Sequence, residues 1–307
     1  IVAIIHVGFM NPAHEDIFSD TGEEDLIDEA YERWPEPDAD LDDGSDFTRL
    51  IKVLNREENI DALSPLIAAI GDEAEEIEFS NTAIGIDTNI LLKLSKRKEA
   101  EDVFDYLGSN HQPPLILPGQ AVQEFWNNQL NAIQTRADKL ARKFEDFSDE
   151  LDKFGEDFGD FAPVIKEKLN VFSAEHGHIF DKATIHKTLK LLEVLKEKSS
   201  VPFVPRSAFK EIVEIRFSTK TPPGFKDDGD GDFFIWADFL YGLKAAQSEG
   251  TNFTRAVLVT DDKKPDWSRK GRAHPILVSE AQAYLGVPFE LWSQDKLIAE
   301  VEKSTSS

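Results

Sequence analysis

Two short apolar runs in this chain each stop abruptly at acidic residues. The run AIGI, residues 83–86, is followed by Asp87, and the run RAVLV, residues 255–259, is followed one residue later by Asp261 and Asp262. Short apolar runs of this kind are typical of strands buried on both faces of a sheet. We therefore expect carboxylates to lie at the end of each of these two buried strands.

Further strand and helix patterns alternate along the chain. Residues 115–117 are a second strand candidate, and the helix that follows contains Glu124. An apolar helix is expected over 233–246, and residues 274–302 are expected to form strand, helix, strand and helix. Apolar strands that alternate with helices predict an α/β fold with a parallel sheet.

The negative charge of the chain is concentrated near its N-terminus. Of 307 residues, 59 are Asp or Glu and 34 are Lys or Arg, a net charge of -25. Residues 1–80 contain 23 acidic and 4 basic residues, which leaves 36 and 30, or -6, for residues 81–307. The total charge argues against binding to polyphosphate, but the second part is nearly balanced. We therefore predict an acidic, partly helical extension over 1–80 and a separate domain over 81–307.

Helical periodicity is clear in two further segments. Residues 47–71 predict two short helices, with Asp46 as the cap of the first and Gly71 as the end of the second. Residues 131–200 repeat Leu, Ile and Phe at three- and four-residue steps, which predicts a helical insertion within the domain. His176 and His178 fall in this insertion, so we do not expect them to bind a metal.

The composition excludes several kinds of site. The chain has no cysteine, so disulfides and thiol nucleophiles are excluded and any metal must bind to oxygen or imidazole. No run approaches the roughly 20 apolar residues of a membrane helix. The opening IVAIIHVGFM lacks the basic flank of a signal peptide. We expect a soluble cytoplasmic protein with no membrane partner.

The acidic residues are placed so that a parallel sheet would gather them. The carboxyl ends of parallel strands meet at one edge of the sheet, and ligands bind there. Grouped carboxylates repel one another and lose hydration unless a cation offsets the cost, and oxygen-only ligands favour Mg²⁺ or Mn²⁺. The residues concerned are Asp87, Glu124, Asp232, Asp261 and Asp262.

Each acid also has a structural alternative. Asp232 suits the N-cap of the helix that follows it, Asp87 and Asp262 suit turns, and Glu124 suits a helix surface. The segment DDGDGD does not fit a calcium-binding EF-hand loop, because Phe233 stands where that loop needs glycine. The joint placement of the acids favours a functional site.

Taken together, these motifs resemble the PIN nuclease superfamily. The resemblance rests on IGIDTNILL, on Glu124 in a helix, on a Gly-Asp before a helix and on VLVTDD. It is closer to a bacterial branch of PIN-like domains that carry PPGFKD, a later GD and W, TDDKK.DW and GVPFELW, and it covers about residues 82–298. The resemblance implies a Rossmann-like three-layer α/β/α sandwich with a central parallel sheet. It also implies Mg²⁺- or Mn²⁺-dependent hydrolysis of nucleic acid, with RNA favoured over DNA and a role in defence or toxin-like systems.

Carried over by position, the resemblance assigns roles to single residues. The four catalytic and metal-binding acids are Asp87, Glu124, Asp232 and Asp262. The Thr-x-Asp spacing selects Asp262, with Asp261 as its alternative or as the cap of a turn, and Asp227 is a further metal candidate. Asn89 is expected to support the first acid or to contact substrate. Phosphate contacts are expected from Arg216, Lys220, Lys226, Lys263 and Lys264, each with the alternative of a solvated surface charge.

A second hypothesis comes from the acidic extension. A segment of this charge is able to mimic a polyanion and cover a basic surface, or to bind a protein partner, and its plain alternative is a solvated appendage. The domain would then be a restrained or inactive PIN-like binding module. A homodimer is a further expectation, because many PIN domains pair.

Overall fold

The computed structural model describes residues 45–71, 79–130, 143, 146–147, 149–151, 153, 161–176, 179–226 and 229–306. Asp227, His178 and most of the acidic extension lie outside these residues, and so does much of 131–160. Within the described residues, no helix is long and apolar enough to cross a bilayer.

A five-stranded parallel sheet lies at the centre of the fold. The strands in chain order are β1 (Thr82–Ile86), β2 (Leu115–Ile116), β3 (Ser199–Ser200), β4 (Arg255–Val259), β5 (Ser268–Arg269), β6 (Arg272–Ala273) and β7 (Phe289–Trp292). The sheet order is β3-β2-β1-β4-β7, and β5 and β6 form a separate antiparallel hairpin. The strands predicted at 83–86, 115–117 and 255–259 are confirmed, with β1 one residue longer and β2 one residue shorter than predicted.

The sheet reverses its direction of growth between β1 and β4. The chain adds β2 and β3 on one side of β1 and then crosses back, so that β4 lies on the other side. Ile86 pairs with Val259 in the β1–β4 register, so both strands end at the same level. Ligand sites in open α/β sheets lie at such reversals, outside the carboxyl ends of the strands.

Helices cover both faces of the sheet and complete a three-layer α/β/α sandwich. They are α1 (Asp46–Leu54), α2 (Leu63–Gly71), α3 (Thr88–Ser95), α4 (Ala100–Asp105), α5 (Gly119–Glu124), α6 (Phe161–His176), α7 (Ile179–Lys198), α8 (Lys210–Ser218), α9 (Gly231–Ser248), α10 (Pro275–Leu285) and α11 (Gln294–Ser306). Helices α1, α5, α9 and α10 pack together, and α3, α4, α7 and α11 form the other group. The predicted PIN-like fold class is confirmed.

Several sequence predictions differ from the structure in detail. Residues 274–278, expected as a strand, begin α10, because Pro275 suits the first helical position and the His274 side chain accepts a hydrogen bond from the Ile276 backbone N–H. The N-caps of α1 and α9 are Ser45 and Asp230, each one or two residues before the predicted residue.

The compact unit that contains the sheet begins well before the predicted domain boundary at residue 80. One compact unit extends from Asp42 to Ser307. It includes α1, because Leu50, Val53 and Leu54 of this helix are buried in the core. Residues 45–71 therefore belong to the domain and not to an extension.

A buried ion network corrects the expectation for Arg216. Its guanidinium lies 2.7 Å from Glu280 Oε1 and donates to the backbone oxygens of Leu54 and Pro222. Glu280 is fully buried and also accepts from Arg56 at 2.6 Å and from Trp236 Nε1 at 2.7 Å. The Arg216 side chain is 5% exposed, so it is neither a phosphate contact nor a solvated charge. It joins α8 to α10 and to the end of α1.

Candidate active site

The first predicted acid, Asp87, lies at the point where the sheet reverses. It follows β1 directly and caps α3, with Oδ1 accepting from the Thr88 backbone N–H at 2.6 Å. Oδ2 accepts from Thr260 Oγ1 at 2.6 Å and from the Asn89 amide. The side chain is therefore held by residues that follow both β1 and β4.

Burial dominates the electrostatics of Asp87. Loss of hydration raises its pKa from 3.8 to about 6, although the hydrogen bonds from Thr260 and Thr88 act in the opposite direction. The negative charges of Glu124 and Asp262 raise this pKa further. These two acids are therefore electrostatic neighbours of Asp87, as the strand-end argument predicts.

Glu124 is the last residue of α5, where the helix widens into a π-helical turn over Phe125–Leu130. Its Oε1 accepts from Gln120 Nε2 at 3.0 Å, and its Oε2 accepts from Thr88 Oγ1 at 3.2 Å. Thr88 thus donates its backbone N–H to Asp87 and its hydroxyl to Glu124.

The start of α5 is itself fixed by a buried carboxylate. Asp238, fully buried in α9, accepts from the Gln120 backbone N–H at 2.9 Å and from the Val204 backbone N–H at 2.8 Å. Arg206 binds both carboxylate oxygens of Asp238, at 2.8 and 3.0 Å. This arrangement orients the helix that presents Glu124.

Asp232 and Asp262 are joined by one ammonium group. Lys264 Nζ lies 3.0 Å from Asp232 Oδ2 and 2.8 Å from Asp262 Oδ2, so the two oxygens are no more than 5.8 Å apart. Asp232, in the first turn of α9, also accepts from Trp267 Nε1 at 2.9 Å. Lys264 was predicted to contact phosphate, and the structure instead places it between two of the predicted acids.

The structure separates Asp261 from Asp262. Asp261 Oδ1 accepts from the Gln294 backbone N–H at 3.1 Å, at the start of α11, and Oδ2 lies 3.4 Å from Lys93. Asp262 instead shares Lys264 with Asp232 and acts on the pKa of Asp87. The geometry therefore supports Asp262 as the fourth acid, as the Thr-x-Asp spacing predicts.

Asn89 joins the ends of the two central strands. Its Nδ2 donates to Asp87 Oδ2 and to Thr260 Oγ1, and its Oδ1 accepts from the Asp261 backbone N–H at 3.0 Å. Every polar atom of the amide is thus engaged within the protein. This is the supporting role that was one of the two expectations for this residue.

The remaining predicted cations lie at the surface. Lys220, Lys226 and Lys263 are exposed. The Lys226 ammonium lies 5.7 Å from the centre of the Phe225 ring, and its backbone N–H donates to the buried Asp266. Lys263 lines a cleft beside Asp262. The phosphate contacts proposed for these three lysines stay predictions.

Sequence reasoning missed Thr88, Gln120 and Trp267, which hold the acids in place. A signal existed for Gln120, because it precedes Glu124 by four residues on one helix and such pairs lie on the same face. None existed for Trp267, whose indole reaches Asp232 across 35 residues of sequence.

The donor set suits a hard divalent cation in chemical type, since it consists of carboxylate oxygens. In the part of the chain that the structure describes, no three carboxylate or imidazole side chains are gathered closely enough to hold a metal as they stand. Asp232 and Asp262 share an ammonium, whereas Asp87 and Glu124 accept hydrogen bonds from neutral groups. Burial is the main cause of the raised pKa of Asp87, and the described hydrogen-bond donors to this carboxylate are neutral.

Gly231, the residue before Asp232, has no side chain and so leaves room for the Glu124 carboxylate. A Cβ atom on Gly231 would overlap Glu124 Oε1, which is the far end of a flexible side chain. We expect Gly231→Ala to displace the Glu124 carboxylate and to lower by about 10- to 100-fold the rate of a reaction that depends on the position of this group. The melting temperature should change little, because alanine is a good helix former.

The matched control for this change is Gly229→Ala, where an added Cβ meets no atom within 4 Å. Activity should be measured as initial rates beside a thermal melt of each variant. Equal rates for the two variants would show that the position of Glu124 is unimportant.

Comparisons with known proteins point to one family. A family model described as a PIN like domain matches residues 83–198 and 161–281. The two matches together span 83–281, which includes all four predicted acids. No curated protein and no solved structure matched the chain.

Proposed function

The chain belongs to the PIN-like domain family, and from this premise we propose that it is a metal-dependent nuclease that hydrolyses phosphodiester bonds, with RNA favoured over DNA. The observation that carries the proposal is the placement of Asp87. It is buried at the sheet reversal beside Glu124 and Asp262, and its raised pKa reflects burial without a cationic partner.

In this proposal Mg²⁺ or Mn²⁺ is bound by Asp87, Glu124 and Asp262, with Asp232 at the border of the site and Asp227 as a further candidate. When bound, such an ion lowers the pKa of a water molecule and neutralises charge that develops on the phosphate. Four ionised carboxylates and the Lys264 ammonium carry a net charge of about -3, so a divalent ion leaves about -1 and removes most of the repulsion.

The residues of the chain have separate tasks in this mechanism. Thr260 and Asn89 donate to Asp87 and favour its ionised form. Thr88 and Gln120 fix the two oxygens of Glu124. Lys264 lies between Asp232 and Asp262 and reduces the repulsion between their carboxylates.

The proposal is tested with the full chain against labelled single- and double-stranded RNA and DNA in Mg²⁺, Mn²⁺ or EDTA. We expect cleavage of at least one substrate with a divalent ion and none in EDTA. At subsaturating metal, activity should rise with pH through about 6, because the metal competes with a proton for the carboxyl of Asp87 in the free protein. Cleavage that persists in EDTA would reject the metal-dependent mechanism.

One observation favours a second candidate, a restrained or inactive binding module. Lys264 already neutralises part of the acidic group, and the described acids are not gathered into a ready metal site. In this case the chain would bind nucleic acid or a protein partner without hydrolysis. Binding of an oligonucleotide with no cleavage of any substrate in Mn²⁺ would support it over the nuclease.

A further inference from the structure

We propose that the cleft beside Asp262 is the binding path of a single-stranded nucleic acid, whose phosphates are held by Lys263, Arg269 and Lys270. The proposal rests on the proposed function for the site to which the path leads. The position of the path, its cations and its apolar wall come from the structure.

The cleft is large and opens directly at the acidic site. It has a volume of about 1400 Å³, and its lining includes Asp261, Asp262 and Lys263. The β5–β6 hairpin and α2 form its sides, and residues 291–293 at the end of β7 also line it. Pockets for small molecules have volumes of roughly 300–1,000 Å³, so this cleft suits a segment of a polymer.

Three cations in this cleft are free to meet phosphates. Lys270 and Gly271 have φ values of 52° and 77°, the positive angles of a two-residue hairpin turn, so Arg269 and Lys270 stand at an exposed tip. Among the described residues, Lys263, Arg269 and Lys270 have no ion-pair partner. A phosphate that binds them displaces only water and counterions, which favours association.

The hairpin is held at a fixed position relative to the acids. Trp267, one residue before β5, is buried and donates from its indole to Asp232 Oδ2. Its backbone oxygen accepts from the His274 N–H at 2.9 Å, which closes the base of the hairpin. The cations at the tip and the carboxylates at the base therefore belong to one connected structure, as positioning of a strand requires.

Part of the lining of the cleft is apolar. Leu66 and Ile70 of α2 line the cleft with exposed fractions of 44% and 77%. Arg272 ties α2 to the hairpin, because its guanidinium donates to the Ala68 backbone oxygen at 2.7 Å. Unpaired bases have apolar faces that suit such a wall, whereas a duplex hides these faces by stacking. A lining that contains both cations and aliphatic side chains therefore favours a single strand.

The test measures binding of a labelled single-stranded RNA of about 12 nucleotides to the full chain with Asp87→Asn, which prevents cleavage during the titration. We expect Arg269→Gln/Lys270→Gln to weaken binding by about 10- to 30-fold at about 0.1 M salt. The logarithm of the association constant decreases as the logarithm of the salt concentration rises. The steepness of this decrease should be smaller by about 1.4 in the variant, since each contact to a single strand contributes about 0.7.

The matched control is Lys98→Gln/Lys244→Gln, which removes the same charge outside the cleft. Lys98 is 90% exposed after α3, and Lys244 lies in the last turns of α9, far from Asp232 at its start. Equal affinity of the two double variants would overturn the proposal. So would binding of an acidic peptide of residues 20–43 with no binding of RNA, because the cleft would then serve a polypeptide.

The outcomes separate this proposal from the nuclease assignment. If the hairpin variant alone loses binding but the unmodified chain cleaves nothing, the path stands and the nuclease proposal fails. If the unmodified chain cleaves RNA and the hairpin variant binds and cleaves it equally well, the nuclease stands and the path is wrong.

Discussion

Replacement of Asp87 by asparagine is expected to abolish hydrolysis while the chain still folds. The change keeps the shape of the side chain but removes the charge that a divalent ion would need. We expect the rate constant for cleavage to fall by a factor on the order of 10² to 10³, which is typical for loss of a group that stabilises the transition state. Initial rates with saturating Mn²⁺ measure the effect.

The free energy of unfolding, measured as a function of pH, tests the role of Asp87 without an activity assay. The folded carboxyl of Asp87 keeps its proton up to about pH 6, whereas the unfolded carboxyl loses it near 3.8. The folded state then binds more protons than the unfolded state, so in EDTA this group lowers the free energy of unfolding as pH rises from about 4 to about 6. Asp87→Asn should lose this part of the pH dependence.

Asp261→Asn is the matched control, because Asp261 is the neighbouring acid that faces Gln294 and Lys93. It should keep most of the activity. If Asp261→Asn removed hydrolysis and Asp87→Asn did not, the assignment of the acids would be wrong.

Replacement of Arg216 by methionine is expected to destabilise the fold. Glu280 is fully buried, and the change removes one of its two cationic partners, leaving Arg56 and Trp236. Removal of one member of a buried ion pair costs about 3 to 5 kcal/mol. Urea unfolding of the variant, followed by circular dichroism, should show a free energy of unfolding that is lower by this amount, obtained as the midpoint shift multiplied by the m-value.

Two further variants test the reason for this loss. Arg216→Met/Glu280→Leu removes both charges, so its loss of stability should be smaller than the sum of the single losses. Lys220→Met removes an exposed charge soon after α8 and should leave the midpoint unchanged. An Arg216→Met variant of full stability that binds RNA weakly would restore the phosphate role that the structure argues against.

The alternation of apolar runs and helical patterns was enough to predict the parallel sheet and the presence of acidic residues after its strands, whereas the choice of four acids came from the resemblance to PIN nucleases. Strand and helix patterns are local, and in a parallel sheet the residues that follow neighbouring strands must meet. Asp87 and the pair Asp261 and Asp262 were therefore found from where AIGI and RAVLV end, and the Thr-x-Asp spacing of the resemblance favoured Asp262. Helix starts were less certain, because the run HPILV suits either a buried strand or the buried first turns of α10.

Only the tertiary structure decided which partner each charged residue has. Arg216 and Lys264 look alike in the sequence as basic residues near acidic motifs, yet one is buried with Glu280 and the other lies between Asp232 and Asp262. In the sequence, Glu280 is 64 residues from Arg216, and Asp232 is 32 residues from Lys264. Side-chain pairs of this kind depend on how distant helices pack, and residue periodicity contains no information about that packing.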